Sequence, residues 1–102
     1  MGIRSRSPIA GAQFGLAVDA TVTTLTPPNI ATGAAVAEIY VRTAPLVFTR
    51  DGTDPTSTRG IQANVGDIIL LNSRAELDSW KGIEQTATDS AIDVEYFSDV
   101  SG

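Results

Sequence analysis

The chain contains no cysteine and no histidine. Without cysteine, no disulfide can cross-link the fold and no thiolate can bind a metal ion or attack a substrate. Without histidine, the chain lacks the commonest general base and the commonest neutral metal ligand. These two absences exclude Ser-His-Asp hydrolases and zinc enzymes, and they leave only carboxylate, lysine or tyrosine chemistry open. The sequence therefore predicts a protein that is not an enzyme and that binds no cofactor.

Aromatic residues are scarce, with three Phe, two Tyr and one Trp among 102 residues. The apolar fraction of 42% comes mainly from Ala, Val, Ile and Leu, which is typical of a globular chain. A chain of this length predicts a single domain. No apolar run approaches the length of a membrane span, so no membrane partner is expected. Threonine is abundant in residues 20–26, and β-branched residues favour strands over helices.

Negative charge dominates, and it is concentrated in the second half of the chain. The formal net charge is −5. Residues 1–50 carry four basic and two acidic residues, giving +2, whereas residues 51–102 carry three basic and ten acidic residues, giving −7. Phosphate binding needs a basic surface, so nucleic acid is not expected to be the main partner. The acidity fits either a basic or mixed protein partner or ordinary solvation.

The first part of the chain differs in composition from the rest. Its small residues, glycine and proline disfavour a helix, so we divide the chain into an N-terminal arm of residues 1–18 and a single β domain of residues 19–102. Phe14, Leu16 and Val18 occupy alternate positions, as in a strand. Such an arm could add a strand to a neighbouring sheet, or it could be the ordinary first strand of this domain.

Two basic residues, Arg4 and Arg6, alternate with serines near the start of the arm. They could contact phosphate or an acidic neighbour, although two charges are too few for high nucleic-acid affinity. A docked or disordered terminus is therefore the preferred interpretation. In the arm, we predict that Arg4, Arg6, Phe14 and Leu16 make partner contacts.

Apolar segments bounded by turn residues predict about six short strands. The clearest of them cover residues 20–26, 34–42, 46–50, 68–71 and 90–98. Both faces of residues 34–42 carry apolar side chains, which indicates a central strand. Residues 68–71 are wholly apolar, and we expect them to be buried on both faces. Residues 90–98 alternate between apolar and acidic side chains, which indicates a half-exposed strand.

A short helix is predicted for residues 74–81. Ser73 and Glu76 have the spacing of a capping box, and Gly82 would supply the C-terminal stop. Trp80 could anchor the core or an exposed interface, and its place on an amphipathic turn favours the core. Together these segments predict a mainly β fold: a compact β-sandwich or small β-barrel with one short helix and an extended N-terminal arm.

A loop rich in turn residues, 51–60, joins two of the predicted strands. Its Asp-Gly and Asp-Pro dipeptides favour turns because Gly accepts positive φ and Pro fixes φ. Asp51 and Asp54 could hold Ca²⁺, but the EF-hand spacing of acidic residues is missing, so no metal site is assigned. A turn stabilised by its own side chains is the favoured interpretation. Asp51, Asp54 and Arg59 are the loop positions predicted to contact a partner.

Asp93 and Glu95 form a second pair of carboxylates. They lie two residues apart on a predicted strand and therefore face the same way. Paired carboxylates can catalyse glycoside hydrolysis, but the chain has few aromatic residues to stack a sugar. An ordinary acidic surface is the favoured interpretation, and no catalytic residue is assigned.

Residues 38–97 carry a series of motifs in a fixed order. A strand with an aromatic and an arginine leads into a RDGTDPT-x-T-x-G loop, here residues 50–60. A G-[DE]-x-[IL]-x-L turn and strand follows at residues 66–71. A capped helix with an aromatic comes next, and an [IVL]-x-V-x-[YF]-[YF] strand closes the series at residues 92–97. This layout resembles that of small structural proteins of tailed bacteriophages, and the first third of the chain has no comparable match.

This resemblance implies a virion structural protein with a compact β fold and no enzymatic activity. Such proteins decorate or cement the capsid surface as homo-oligomers, often trimers, or they belong to the head–tail connector or the tail. The implied partners are the major capsid protein or other virion proteins. A different possibility is a host-surface carbohydrate-binding module, which would need an exposed aromatic platform around Trp80 or Tyr40.

Overall fold

The computed structural model describes residues 9–25 and 33–98. Strands account for 54% of the described residues and helix for 7%, which confirms the mainly β class. The elements, in chain order, are β1 (Ile9–Val18), β2 (Thr23–Thr24), β3 (Ala34–Val41), β4 (Leu46–Thr49), β5 (Ile61–Ala63), β6 (Ile68–Leu71), α1 (Arg74–Ser79), β7 (Lys81–Glu84) and β8 (Ser90–Ser98). No helix in the described ranges is long and apolar enough to cross a membrane.

The strands form two four-stranded antiparallel sheets. Sheet I has the strand order β1-β8-β3-β6, and sheet II has the order β2-β7-β4-β5. The arrangement is sandwich-like, and the two sheets do not join into a closed barrel. Of the two architectures predicted from the sequence, the barrel is therefore not the one formed.

The core lies between the two sheets, and α1 contributes Leu77 to it. Alternate residues of the strands point into it, because successive side chains of a strand lie on opposite faces. Its main buried apolar residues are Val18, Leu25, Ala37, Ile39, Val41, Leu46, Phe48, Ile69, Leu71, Leu77, Trp80, Ile92, Val94 and Tyr96. This set confirms that Trp80 belongs to the core.

Residues 9–18 belong to the domain, because β1 is an edge strand of sheet I. It pairs with β8 from Ile9, opposite Phe97, to Val18, opposite Ser90. Of the two alternatives for these residues, the ordinary first strand of the domain is therefore the one formed. The predicted boundary after residue 18 does not separate an arm from the domain. The predicted contact residues Arg4 and Arg6 lie outside the described residues.

The alternation predicted for β1 is wrong at Phe14. Gln13 pairs with Val94 and Leu16 pairs with Ile92. The two residues between Gln13 and Leu16 therefore lie opposite one residue of β8, Asp93. Gly15 has a φ of +74°, as expected for a bulge that inserts one extra residue. The bulge leaves Phe14 68% exposed, while Leu16 is half-buried against the core. Phe14 and Leu16 therefore lie on opposite faces, and Leu16 supports the core.

The central strand was predicted correctly. β3 lies between β8 and β6, with Ala37, Ile39 and Val41 buried in the core. The strand at residues 20–26 is reduced to the two residues of β2, and residues 26–32 lie outside the described ranges.

Burial of β6 on both faces was a wrong prediction. β6 is the outer strand of sheet I, and Ile68 and Leu70 are 55% and 49% exposed. Ile69 and Leu71 alone reach the core. An apolar run does not reveal whether a second layer covers its outer face, because that depends on strand order.

The helix starts as predicted and ends earlier. The Ser73 hydroxyl accepts a hydrogen bond from the Glu76 amide at 3.2 Å, and the Glu76 carboxylate accepts one from the Asn72 amide at 2.8 Å. The helix stops at Ser79, and Gly82 lies within β7 rather than at the helix end. A Cβ atom on Gly82 would lie 2.5 Å from Cη2 of Trp80. Any side chain at position 82 would clash with the indole ring of Trp80, so the packing requires glycine there.

Candidate interaction surfaces

The outer faces of the two sheets differ in what covers them. On sheet II, the loop of residues 51–60 folds back over β4 and β7. Val47 is 2% exposed although alternation places it opposite the core, and an added Cβ at Gly60 would lie 2.6 Å from its Cγ1 atom. Pro55 of the same loop is fully buried. The loop therefore acts as a cover for sheet II.

Side-chain and backbone hydrogen bonds hold this cover in place. Asp51 accepts a hydrogen bond from the Thr53 amide at 3.0 Å, and the Thr49 hydroxyl donates to the Thr53 carbonyl. The Arg59 guanidinium donates to the Asp54 carbonyl at 3.1 Å. Each of these bonds stays within the loop and its flanking strand, as expected for a turn stabilised by its own side chains.

One ion pair ties the loop to β7. The Lys81 ammonium lies 2.7 Å from Oδ1 of Asp54, and this hydrogen bond and the charge of Lys81 lower the pKa of Asp54. The Thr53 amide lowers the pKa of Asp51 separately. Asp51, Asp54 and Arg59 remain exposed, so the positions predicted to contact a partner are accessible. Their side chains already form the hydrogen bonds and the ion pair that hold the loop in place.

Replacing Lys81 by Met is expected to raise the pKa of Asp54 towards its ordinary value of 3.8. The folded state holds this pKa below the unfolded value, so the pair stabilises the fold above about pH 4, and its contribution is lost as pH falls through the folded-state pKa. The melting-temperature gap between the native protein and Asp54→Asn should therefore be present at pH 7 and close in acid. Carboxyl NMR titration measures the pKa directly.

The matched control is Asp51 in the same Lys81→Met protein. Its pKa is lowered by the hydrogen bond from Thr53, so it should not move. An equal rise in both values would mean that the loop had detached, and no rise at Asp54 would contradict the ion pair.

The outer face of sheet I carries acidic side chains at its centre. Glu38 of β3 pairs directly with Glu95 of β8, and Tyr40 pairs with Asp93. Arg42 follows on the same side of β3 and forms an ion pair with Asp93. Phe14 lies beside Asp93 at the β1 bulge. We call this set of six residues the acidic face.

Asp93 is the most constrained carboxylate of the acidic face. Its Oδ1 accepts a hydrogen bond from the Gly15 amide at 2.8 Å, and Oδ2 accepts one from Arg42. The Gly15 amide, followed by Arg42, lowers the pKa of Asp93, so the group is ionised at neutral pH. Asp93 therefore fixes the β1 bulge. Glu95 lies on the same face, as predicted, and Glu38 joins it from the next strand.

Exposed aliphatic residues concentrate on the side where β5 and β6 form the outer strands. Of five large apolar residues that are exposed in the described ranges, four lie in residues 61–70, and the fifth is Phe14. We call these four the apolar rim: Ile61, Val65, Ile68 and Leu70. Sequence reasoning missed the rim because it assigned Ile68 and Leu70 to a buried strand.

A groove of about 260 Å³ lies between β5 and β6, with Ile61, Ile68 and Leu70 among its lining residues. The Arg50 guanidinium lies 5.7 Å from the centroid of the Phe48 ring, a cation–π distance, and donates to the Leu70 carbonyl at 3.3 Å. This bond occupies one carbonyl of the β6 edge. An edge strand that is partly blocked is less able to pair with other chains non-specifically.

A further pair of carboxyl groups lies at the opposite side of sheet II. A hydrogen bond with Asp89 raises the pKa of Glu84, and desolvation and the charges of Asp89 and Asp19 act in the same direction. An open cleft next to Glu84 is lined by polar residues including Thr56 and Ser57. In the described part of the chain, no three Asp or Glu side chains converge where a metal ion could bind.

The aromatic residues do not form a platform on the surface. All six fall within the described ranges: Phe48, Trp80, Tyr96 and Phe97 are buried, Tyr40 is half-buried and Phe14 is exposed. A sugar-binding surface usually stacks the ligand on exposed rings, and here one ring is exposed. Trp80 therefore does not supply the exposed ring that a carbohydrate-binding module needs.

The chain matches no protein-family model, no curated protein and no solved structure.

Proposed function

We propose that this chain is a structural protein of a tailed-phage particle and that it acts as a capsid decoration or cement protein. Two features support the proposal. The motif layout of residues 38–97 resembles small virion proteins, and the fold carries an apolar rim on one side. The rim is the observation on which the proposed mechanism rests, since exposed aliphatic residues grouped on neighbouring edge strands are typical of a protein-contact surface.

In this proposal, the rim lies against the major capsid protein and against neighbouring copies of the chain. Burying Ile68 and Leu70 would contribute about 25 cal/mol for each Å² of apolar surface removed from water. One small contact is weak, but symmetry repeats it many times over a capsid, and several contacts in one oligomer add avidity. A trimer over a capsomer junction would use the rim in this way. The proposed location is the outer surface of the capsid.

Two other functions from the sequence can be ranked against this one. A head–tail connector or tail component would use the same rim, and the number of copies in each particle separates it from a cement protein. A host-surface carbohydrate-binding module receives less support, because Trp80 is fully buried and Tyr40 is half-buried.

The test is quantitative mass spectrometry of this protein in purified particles, normalised to the major capsid protein. A ratio near one, or a simple fraction of it, is the expected result for a capsid-wide cement protein. About a dozen copies per particle would indicate a connector or tail component instead. Absence of the protein from purified particles would contradict the proposed virion function.

The contribution of the rim can be tested in the same particles. Replacing Ile68 and Leu70 by Ser removes apolar surface that is already exposed, so the fold should be retained and the copy number should fall several-fold. Phe14→Ser is the matched control, because Phe14 is more exposed than Ile68 and Leu70 and lies outside the rim. Equal occupancy for both variants would show that the rim does not contact the capsid.

A further inference from the structure

The outer edge of β6 carries backbone groups that no strand in residues 9–25 and 33–98 pairs with. β6 is the last strand of sheet I, and β3 lies along its other edge, where the Val41 amide donates to the Asp67 carbonyl at 3.0 Å. Backbone groups of successive strand residues point to alternate edges, so the N–H and C=O groups of Ile68 and Leu70 point outward. An open edge of this kind is a template for a further strand.

Arg50 holds one of these outward groups. Its guanidinium donates to the Leu70 carbonyl at 3.3 Å, which is longer than the usual range of about 2.7–3.2 Å. In the described part of the chain, Arg50 forms no ion pair. A carboxylate offered to Arg50 would replace this long bond to a neutral carbonyl by a shorter bond between two charges. Such an exchange would free the Leu70 carbonyl for strand pairing.

Asp67 is the carboxylate that a second copy of the chain would bring to this edge. Asp67 and Arg50 both line the groove between β5 and β6. Oδ2 of Asp67 accepts a hydrogen bond from the Asn64 amide at 2.7 Å, and no described residue bonds to Oδ1. Residues 60–73 contain no other charged residue, so Arg50 and Asp67 leave the edge formally neutral in a chain of net charge −5. Two copies can therefore approach each other by this edge without facing like charges.

A twofold axis through Ile69 would bring the complementary groups together. With two β6 strands antiparallel and Ile69 opposite its own counterpart, Ile68 of each copy would pair with Leu70 of the other. The outward backbone groups of both residues would then all form hydrogen bonds. Asp67 would lie opposite Leu71 of the second copy, at a Cα–Cα distance of about 4.5 Å and one residue from the carbonyl that Arg50 holds. Because a twofold contact repeats every interaction, the Arg50–Asp67 ion pair would form on both sides of the axis.

The same register would bury the exposed side chains of β6. Ile68 and Leu70 are 55% and 49% exposed on the outer face of sheet I. In the paired strands, each of them would lie directly beside the other residue of the second copy. Aliphatic pairs between neighbouring strands stabilise a sheet, so backbone, charge and apolar contacts all favour the same arrangement.

We propose that the β6 edge is a twofold docking surface for a second copy of this chain. In the pair, the two copies of four-stranded sheet I join into one sheet of eight strands, and Arg50 exchanges the Leu70 carbonyl for Asp67 of the second copy. The inference rests on the proposed function in that both use the apolar rim, and it names the partner of Ile68 and Leu70. Ile61 and Val65 of the rim lie outside the paired strand and stay available to the capsid protein.

The test is sedimentation equilibrium of the full chain with two charge reversals. The paired surface is small, so the native protein should dimerise with a dissociation constant of about 10 μM to 1 mM. Arg50→Glu and Asp67→Arg each set like charges against each other across the axis, so each variant alone should self-associate about tenfold more weakly or less still. An equimolar mixture of the two variants should dimerise as the native protein does, because every contact in the mixed dimer joins opposite charges.

Asp89→Arg is the matched control, because it makes the same change of charge as Asp67→Arg at the opposite side of sheet II. It should leave association unchanged. Amide hydrogen exchange of the native protein locates the interface: exchange at Ile68 and Leu70 should slow as the concentration rises, whereas exchange in β1, the other outer strand of sheet I, should not. This measurement uses the native protein, so it decides the question even if a variant fails to fold.

Three results would overturn the pairing. They are a native protein that stays monomeric at about 1 mM, a mixture of folded reversal variants that stays monomeric, and slow exchange at Ile68 and Leu70 at every concentration. The last result would show that the chain itself covers the edge. A chain that dimerises through β6 but is absent from purified particles would support the pairing and contradict the virion function. A monomeric chain that is present in particles would contradict the pairing alone.

Discussion

Trp80→Ala is expected to lower the free energy of unfolding by about 3–5 kcal/mol, the usual range for removal of a large buried ring. Trp80 is fully buried and stacks on Phe48, with ring centroids 6.2 Å apart and an angle of 22° between the planes. Leu77 of the helix is buried in the same cluster. A domain of this size has a total stability of about 5–15 kcal/mol, so the variant should be close to unfolding at 37 °C.

The measurement is urea denaturation followed by far-ultraviolet circular dichroism, since the variant has no tryptophan to report fluorescence. Phe14→Ala is the matched control, because it removes an exposed ring and should change stability by less than about 0.5 kcal/mol. Trp80→Phe should fall between the two: it leaves a smaller cavity and removes an indole N–H that is buried without a hydrogen-bond partner. A loss in Trp80→Ala no larger than that of Phe14→Ala would contradict a core role.

Gly60→Ala is expected to destabilise the fold by about 2–6 kcal/mol, for two separate reasons. The φ of Gly60 is +131°, a region that side chains rarely adopt and that costs about 1–3 kcal/mol. The added Cβ would also lie 2.6 Å from Cγ1 of Val47 and 2.9 Å from the backbone oxygen of Phe48. Overpacking of this kind costs about 1–3 kcal/mol, because the backbone of β4 cannot move aside easily.

Gly52→Ala separates the two contributions. Gly52 belongs to the same loop and has a φ of +88°, but a Cβ there would meet no atom within 4 Å. Its cost should be the conformational part alone, about 1–2 kcal/mol. The difference in melting temperature between the two variants measures how tightly the loop covers sheet II. Equal losses would mean that the loop does not contact Val47 in solution.

Much of the fold could be predicted from local patterns. The alternation in residues 34–42 and 90–98 identified two strands of sheet I, and the Ser73 and Glu76 pair located the start of the helix. These signals are local, because side-chain direction in a strand and capping at a helix end depend on residues within a few positions of each other. The buried role of Trp80 followed from the same reasoning.

The surfaces were harder to predict. The sequence offered Phe14, Leu16 and the Asp51–Asp54 loop as contact positions, but the bulge at Gly15 turned Leu16 inwards, and the loop bonds to its own domain. The apolar rim went unrecognised, since Ile68 and Leu70 have the composition of a buried strand. Glu38 could be assigned to the acidic face only from the register between β3 and β8, which places it opposite Glu95.

The sequence by itself determined the mainly β class, the central strand, the helix start and the lack of cysteine and histidine chemistry. The tertiary structure alone decided which strands became edges, which outer face was covered and which charges met across strands. The physical reason is that burial and cross-strand pairing join residues far apart in the chain, such as Glu38 and Glu95. Local periodicity sets where a side chain points, whereas strand order sets what it meets there.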